Sequence, residues 1–144
     1  MNYNVSIKSR RNNLMKAEMI APCGMNCHLC YAYIRPKKKC LGCRASNNGK
    51  RKSCSNCKIV KCEKRIHHRW ETCAPCDTPC RRLMDLDKRY KSKYHMSMIE
   101  NLAIIQNHGI QLFLQQQEEK FRCSACGVTV CVHRNECPAC NKPI

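Results

Sequence analysis

Apolar residues recur with a helical period only after residue 80 of this chain. Thr78 followed by Pro79 fits a helix N-cap with proline at the first helical position. Four apolar residues then fall near one face of the predicted helix: Leu83, Leu86, Tyr90 and Tyr94. The pattern therefore predicts a helix that begins near residue 80 and presents one apolar face.

Two further helices are predicted before residue 121. Ser97 and Glu100 have the spacing of a capping box, and Asn107-His108-Gly109 supplies a C-terminal stop. Apolar positions continue at helical spacing through Ile99, Leu102, Ala103 and Ile105 or Gln106. After the stop, a short helix up to Lys120 is indicated by Ile110, Phe113, Leu114 and Gln117. We expect these faces to form a small helical core.

Composition shows that this core cannot be the whole basis of the fold. The hydrophobic share is 43%, but it includes 16 cysteines, and the formal net charge is +17. Without cysteine, only about a third of the residues are apolar, which is little for so charged a chain of this size. Burial of apolar surface would not offset the entropy lost on folding. Cysteine is the abundant residue that could supply the missing stability.

The arrangement of the cysteines favours metal ligation over disulfides. The chain has no apolar run behind its basic start and no window long enough to span a membrane, so we expect a cytoplasmic protein with reduced thiols and no membrane partner. Two cysteines three residues apart can direct both sulfurs at one ion. This C-x-x-C step occurs six times, at Cys27/Cys30, Cys40/Cys43, Cys54/Cys57, Cys73/Cys76, Cys123/Cys126 and Cys137/Cys140.

These features together predict a small metal-stabilised α+β fold in four parts. Residues 1–18 read as a disordered basic lead-in, and residues 19–80 as a cysteine-rich zinc-binding module. Residues 81–120 form a helical linker, and residues 121–144 a C-terminal zinc-ribbon-like hairpin. We expect about three or four Zn²⁺ ions, with an iron–sulfur cluster as the alternative because four thiolates also bind iron.

The C-terminal cysteines give the most specific metal site. Two knuckle-like turns supply its four thiolates, and the strand-forming residues of 128–132 between them predict a β-hairpin. The four ligands are Cys123, Cys126, Cys137 and Cys140. Cys131 and His133 are left over, either as a spare thiol and a surface imidazole or as a functional pair.

The eleven cysteines of residues 19–80 do not divide by four, so their partition stays open. One set has a recognised zinc spacing and consists of Cys54, Cys57, Cys73 and Cys76. A second set could be closed by Cys27, Cys30, Cys40 and Cys43. The remainder, Cys23, Cys62 and Cys80, are either unligated or need a nitrogen ligand from His28, His67 or His68.

The charge is unevenly distributed and suggests a partner. The whole excess of +17 lies in residues 1–95, while residues 96–144 are neutral. A basic face on a rigid metal module is the usual footprint of RNA or DNA binding. The candidate contacts are Lys37, Lys38, Lys39, Lys50, Arg51, Lys52, Arg81 and Arg82, with Trp70 as the stacking residue. Alternatively, these side chains offset the thiolate charge and keep the protein soluble.

Two other classes of function are weighed against nucleic-acid binding. The unmatched cysteines could form an iron–sulfur, metal-handling or redox site. The helices of residues 97–120 could instead dock another protein, which would make the chain an adaptor. The sequence shows no paired carboxylates, phosphate-cradling glycine loop or nucleophile–base motif, and so leans away from an enzyme.

Several of these motifs also occur together in one known family. Met19-Ile20-Ala21-Pro22-Cys23-Gly24, Cys40-x-Gly42-Cys43 and Cys57-Lys-Ile-Val-Lys-Cys62 resemble the cysteine-rich family known as domain of unknown function 3795. So do Cys73-x-x-Cys76-x-x-Pro79-Cys80, the Tyr94–Leu102 stretch and Cys131-Val-His133-Arg134. The resemblance implies a small, zinc-binding protein of prokaryotic type without an assigned activity. Since members usually begin near this first motif, it also makes Met19 the expected start.

Overall fold

The computed structural model describes residues 14–144, and most of the regular structure there is helical. Among the described residues, the six α-helices are α1 (Tyr31–Ile34), α2 (Lys52–Ser55), α3 (Glu63–His67), α4 (Arg81–Tyr94), α5 (Met98–His108) and α6 (Ile110–Lys120). Single 3-10 turns lie at Ala17–Met19 and Cys27–Leu29. Within the described residues, strand pairing is limited to three isolated antiparallel bridges. The β part of the expected α+β class is therefore wrong.

Two of the three long helices, α5 and α6, begin and end where the local sequence signals predict, whereas α4 begins at Arg81 with Cys80, and not the expected Thr78, as its N-cap. The Ser97 hydroxyl accepts the Glu100 N–H at 3.0 Å, so the capping residue of α5 is the predicted one. Helix α5 ends at His108, and Gly109 takes a φ of 86°, which the absence of a side chain permits. Helix α6 then runs to Lys120, as predicted.

The helical core lies largely on the expected faces. Phe113 and Leu114 of α6, Leu83 of α4, and Met98 and Leu102 of α5 are buried. One position was predicted incorrectly, because Ala103 is exposed and Asn101 is buried in its place. The inward face of α5 is therefore rotated by about one residue relative to the prediction.

The cysteine-rich module packs against this core through its first turn. The Asn101 amide donates to the Gly24 carbonyl at 3.1 Å, which joins α5 to the Cys23-Gly24 turn. Gly24 has a φ of 92°, and a β-carbon there would lie 2.9 Å from Cγ of Leu102. Only glycine fits so close an approach without a shift of α5.

The end of the expected lead-in belongs to the fold. Met15 is buried, and its N–H donates to the Glu118 carboxylate of α6 at 2.6 Å. The Lys16 N–H donates to Nε2 of His28 at 3.0 Å. The earlier part of that segment, residues 1–13, lies outside the described residues. Over residues 14–144, no helix has both the length and the apolar character required to cross a membrane.

A buried carboxylate joins α4 to the start of α5. Oδ1 of Asp87 accepts the Ser97 hydroxyl at 2.6 Å and the Ile99 N–H at 3.0 Å, and Oδ2 lies 3.2 Å from the Lys91 ammonium. Burial alone would raise the pKa of Asp87, but these three donors bring its pKa below the usual value. The carboxylate is thus held in its charged form between two helices.

Replacing Asp87 by Asn is expected to lower the free energy of unfolding by about 1–2 kcal/mol at neutral pH, because charge-assisted hydrogen bonds are lost. The depressed pKa means that this stabilisation is present above the unfolded-state pKa and is lost as the pH falls through the folded-state pKa. The difference in the free energy of unfolding between Asp87→Asn and the wild type should therefore become smaller below about pH 4. Urea unfolding of both proteins at each pH measures it.

Asp85→Asn is the matched control, since that carboxylate lies on the same helix with 69% of its side chain exposed. It should change the stability by less than about 0.5 kcal/mol. Equal effects of the two substitutions would contradict the assigned role of Asp87.

Candidate metal centre and basic cavity

The C-terminal cysteines lie in two turns with the same backbone geometry. The Cys123 carbonyl accepts the Gly127 N–H, and the Cys137 carbonyl accepts the Asn141 N–H, at 2.9 and 3.0 Å. Gly127 and Asn141 both have a positive φ, 77° and 62°. Glycine and asparagine are the residues that adopt this conformation most readily, which explains their place after each second cysteine.

The four sulfur atoms of these turns converge on one point. Sγ of Cys123 lies 3.7 Å from Sγ of Cys140, and Sγ of Cys126 lies 3.6 Å from Sγ of Cys137. All four sulfurs lie within 4.8 Å of one another. A tetrahedral ion with metal–sulfur distances of about 2.3 Å separates its ligands by about 3.8 Å. The cluster therefore has the size that a four-thiolate metal site requires.

Backbone amides prepare two of these sulfurs to carry negative charge. The N–H groups of Cys126 and Ala125 lower the pKa of Cys123 to about 6. Those of Cys140 and Ala139 likewise lower the pKa of Cys137. The turns thus direct N–H dipoles at sulfur atoms that a cation would hold as thiolates.

The predicted β-hairpin between the two turns does not form. Instead, Arg122 is bridged to Thr129 across the first turn, and Glu136 to Pro143 across the second. The Val130 N–H donates to the Phe121 carbonyl at 2.8 Å, so the strand-forming residues pair backwards within their own turn. Each turn therefore pairs its own two ends, and the two turns do not pair with each other. The expected zinc-ribbon hairpin is wrong.

Cys131 and His133 lie outside the cluster, and His133 with its neighbour Val132 joins the C-terminal segment to the rest of the protein. Nδ1 of His133 accepts the Tyr31 N–H at 3.2 Å, and Nε2 lies 2.8 Å from the Tyr90 hydroxyl. The Val132 N–H donates to the Leu29 carbonyl at 2.9 Å. Both ring nitrogens of His133 therefore have protein partners, and the imidazole acts as a structural link between segments.

Part of the N-terminal cysteine set is drawn together around Cys43. Its N–H donates to Sγ of Cys27 at 3.4 Å, and a hydrogen bond between the two thiols, with burial, raises the pKa of Cys43. Burial also raises the pKa of Cys30, with further contributions from the thiols of Cys43 and Cys40. These four are one of the two sets suggested by spacing.

Several other thiols of the cysteine-rich module influence the ionisation of Cys73 and Cys23. Burial raises the pKa of Cys73 to about 11; Arg65 lowers it, while the nearby thiols of Cys62, Cys80 and Cys76 raise it. Cys54 is exposed and lines a cavity described below. Burial raises the pKa of Cys23 to about 12, and the thiols of Cys43, Cys57 and Cys73 add to the rise.

None of these N-terminal groups reaches the geometry of the C-terminal cluster. In residues 14–144, the C-terminal tetrad is the one group of three or more Cys, His, Asp or Glu side chains whose ligand atoms all lie within 4.8 Å. The partition of the eleven N-terminal cysteines stays a prediction. The histidines offered as extra ligands have other contacts: His28 accepts the Lys16 N–H, His68 stacks on Trp70, and His67 packs edge-on against His68.

The fold also forms a basic cavity that the sequence did not reveal. It has a volume of about 590 Å³ and lies between the 43–50 loop and residues 60–71. Of the nucleic-acid residues named from the sequence, only Lys50 and Trp70 line it. Its other cationic side chains are Arg44, Lys61, Arg65 and Arg69. Sequence reasoning selected adjacent runs of charge, whereas these residues are separated along the chain and meet only on folding.

The remaining basic residues named from the sequence are spread over the surface. Lys37, Lys38 and Lys39 are exposed in the turn after α1, Arg51 and Lys52 at the start of α2, and Arg81 and Arg82 at the start of α4. No family model matches the chain, and neither the curated proteins nor the solved structures include a significant match.

Replacing Cys140 by Ser is expected to remove one metal ion per chain, because a hydroxyl is a poor substitute for one of four thiolates. Cys140 is exposed, so the substitution itself costs little packing. Cys131→Ser is the control: that thiol lies outside the tetrad, and its variant should keep the full metal content. Elemental analysis with native mass spectrometry measures the count. An unchanged count in Cys140→Ser, or a loss in Cys131→Ser, would contradict the assignment.

Tyr90→Phe should lower the free energy of unfolding by about 1 kcal/mol, because His133 loses the hydroxyl partner of its Nε2 atom. Tyr94 contacts the same imidazole with its ring, 4.8 Å between centroids, and Tyr94→Phe keeps that contact. Urea unfolding of the metal-loaded proteins should therefore separate the two variants. If they are equally stable, the hydrogen bond at His133 does not join the segments as described.

Proposed function

We propose that this protein is a zinc-organised interaction module whose basic face binds RNA or DNA. The observation that carries the proposal is the excess of cationic side chains without acidic partners. Only three ion pairs form within residues 14–144, namely Arg44–Glu71, Arg81–Asp85 and Lys91–Asp87. The other basic residues leave a surface that attracts a polyanion.

Zinc is the ion that best fits the C-terminal tetrad. Four cysteines in a closed tetrahedral set, with no open coordination position, are typical of structural zinc. Bound there, the ion would neutralise part of the thiolate charge and hold the two turns together. Four thiolates also suit iron, which would colour the purified protein brown, so elemental analysis and a visible spectrum distinguish the two metals.

Membership of the domain of unknown function 3795 family is part of this proposal. It is supported by the cysteine spacing of residues 19–80 and by the helical stretch after residue 81. Because that family has no assigned activity, nucleic-acid binding is argued from the charges of this chain alone.

Phosphate contacts predict a steep dependence of affinity on salt. Each contact releases a condensed counterion, so four contacts weaken binding about a hundredfold between 50 and 200 mM salt. The measurement is fluorescence anisotropy of labelled oligonucleotides of random sequence, titrated with the metal-loaded full chain. Absence of binding at 50 mM salt would contradict the proposal.

A pair of double variants locates the face. Lys37→Gln with Lys39→Gln removes two charges from residues 1–95, which hold the charge excess, and should weaken binding and reduce its salt dependence. Lys120→Gln with Lys142→Gln removes two charges from residues 96–144, which are neutral overall, and should leave the affinity within about twofold of the wild type. An equal loss in both would show that overall charge, not this face, drives the interaction.

A further inference from the structure

The basic cavity combines a dense positive charge with an aromatic wall. Five cationic side chains line it, and a single carboxylate, Glu71, accompanies them. Glu71 lies 3.6 Å from Arg44 and so compensates that one charge only. The other four cations are Lys50, Lys61, Arg65 and Arg69.

The hydrogen bonds of Lys50, Lys61 and Arg65 go to neutral acceptors, and within the described residues none of these three side chains pairs with a carboxylate. The Lys50 ammonium donates to the carbonyls of Cys43 and Ala45, at 3.1 and 2.9 Å. The Arg65 guanidinium donates to the carbonyls of Val60 and Trp70. Its Nε is buried and has no partner within the described part of the chain. An anion that entered the cavity would meet positively charged side chains from several directions.

Trp70 adds a flat surface to this charge. The indole lies parallel to the His68 ring, with centroids 4.4 Å apart and an angle of 13° between planes. It lines the basic cavity and also a second, adjoining cavity of about 320 Å³, which shares Arg44, Arg69 and Glu71. Trp70 therefore borders the region where the positive charge is concentrated, with the Lys64 ammonium 6.0 Å from its ring centre, and stacked aromatic pairs can be extended by a further ring.

A phosphate attached to a flat base matches this combination. The volume of the cavity is in the range that holds one small ligand. A duplex keeps its bases stacked inside, so it could offer the cavity only phosphates, whereas a single strand can turn a base outward. We propose that the basic cavity binds one unstacked nucleotide of a single strand, with the base against Trp70 and the adjoining phosphate near Arg69 and Lys61. This inference rests on the proposed nucleic-acid function and specifies its site.

The chain provides its own reporter, because Trp70 is its only tryptophan. The metal-loaded full chain is titrated with a single-stranded oligonucleotide, with its duplex and with free AMP, while tryptophan fluorescence and the anisotropy of the labelled strand are followed. The single strand should quench Trp70 saturably, at the concentrations where anisotropy reports binding. The duplex should bind without comparable quenching, and AMP should quench only at much higher concentration.

Two pairs of variants test the site independently of the fluorescence. Arg69→Gln and Arg82→Gln each remove one exposed positive charge, but only Arg69 lines the cavity. Arg69→Gln should weaken single-strand binding about tenfold and Arg82→Gln about twofold. Trp70→Ala should also cost about tenfold, while Trp70→Phe, which keeps a stacking ring, should retain most of the affinity. Unchanged metal content and circular dichroism establish that each variant is folded.

The outcomes separate this inference from the proposed function. Single strands could bind without quenching the fluorescence of Trp70, and Arg69→Gln could lose no more affinity than Arg82→Gln. In that case the cavity is not the binding site, while nucleic-acid binding itself stands. Equal quenching by the duplex would overturn the preference for single strands. Equal quenching by AMP and the oligonucleotide would make the cavity a mononucleotide site. If no nucleic acid binds at low salt, the proposed function fails, and this inference fails with it.

Discussion

Four thiols within 4.8 Å of one another cannot all ionise unless a cation lies between them, and the C-terminal segment is built around that constraint. Its own apolar core consists of Val130 and the buried sides of Cys123 and Cys137, with Phe121 packed against them. So small a cluster cannot offset the entropy of ordering about two dozen residues. Structural zinc sites contribute about 10–16 kcal/mol to the folding of small domains, so an ion in this tetrad would supply stability that the apolar cluster lacks.

The C-terminal segment, residues 121–144, in turn packs against the cysteine-rich module. Residues 132–134 lie against residues 29–31 through a backbone hydrogen bond, the His133 imidazole, and the Arg134 guanidinium 3.9 Å from the Tyr31 ring centre. Ordering of the two C-terminal turns should therefore also help to order residues 29–31 of the cysteine-rich module. The helical core, in contrast, has its own apolar residues in Phe113, Leu102 and Met98. Two sources of stability, a metal ion that the four sulfurs could bind and apolar burial, would thus serve different parts of one chain.

Features encoded over a few residues were the ones that the sequence could predict. The Ser97 cap, the end of α5 at Gly109 and the sulfur tetrad each depend on short spacing, and each is present in the structure. The hairpin failed because Val130 could pair within its own turn or across to the next one, and strand propensity does not choose between partners. Asp87 and Asn101 are buried because they form hydrogen bonds to other segments of the chain, and hydrophobic periodicity does not predict such contacts. The cavity was missed because Arg44 and Arg69 are far apart until the chain folds.

If a metal ion holds residues 121–144 in their fold, amide hydrogen exchange before and after complete metal removal will reveal it. The amides of Cys123, Gly127, Cys137 and Asn141, which close the two turns, should then lose their protection when the metal is removed. The amides of α5 and α6, which rest on apolar packing, should retain more of theirs. Unchanged protection across residues 121–144 in the metal-free protein would show that the metal does not hold this segment together.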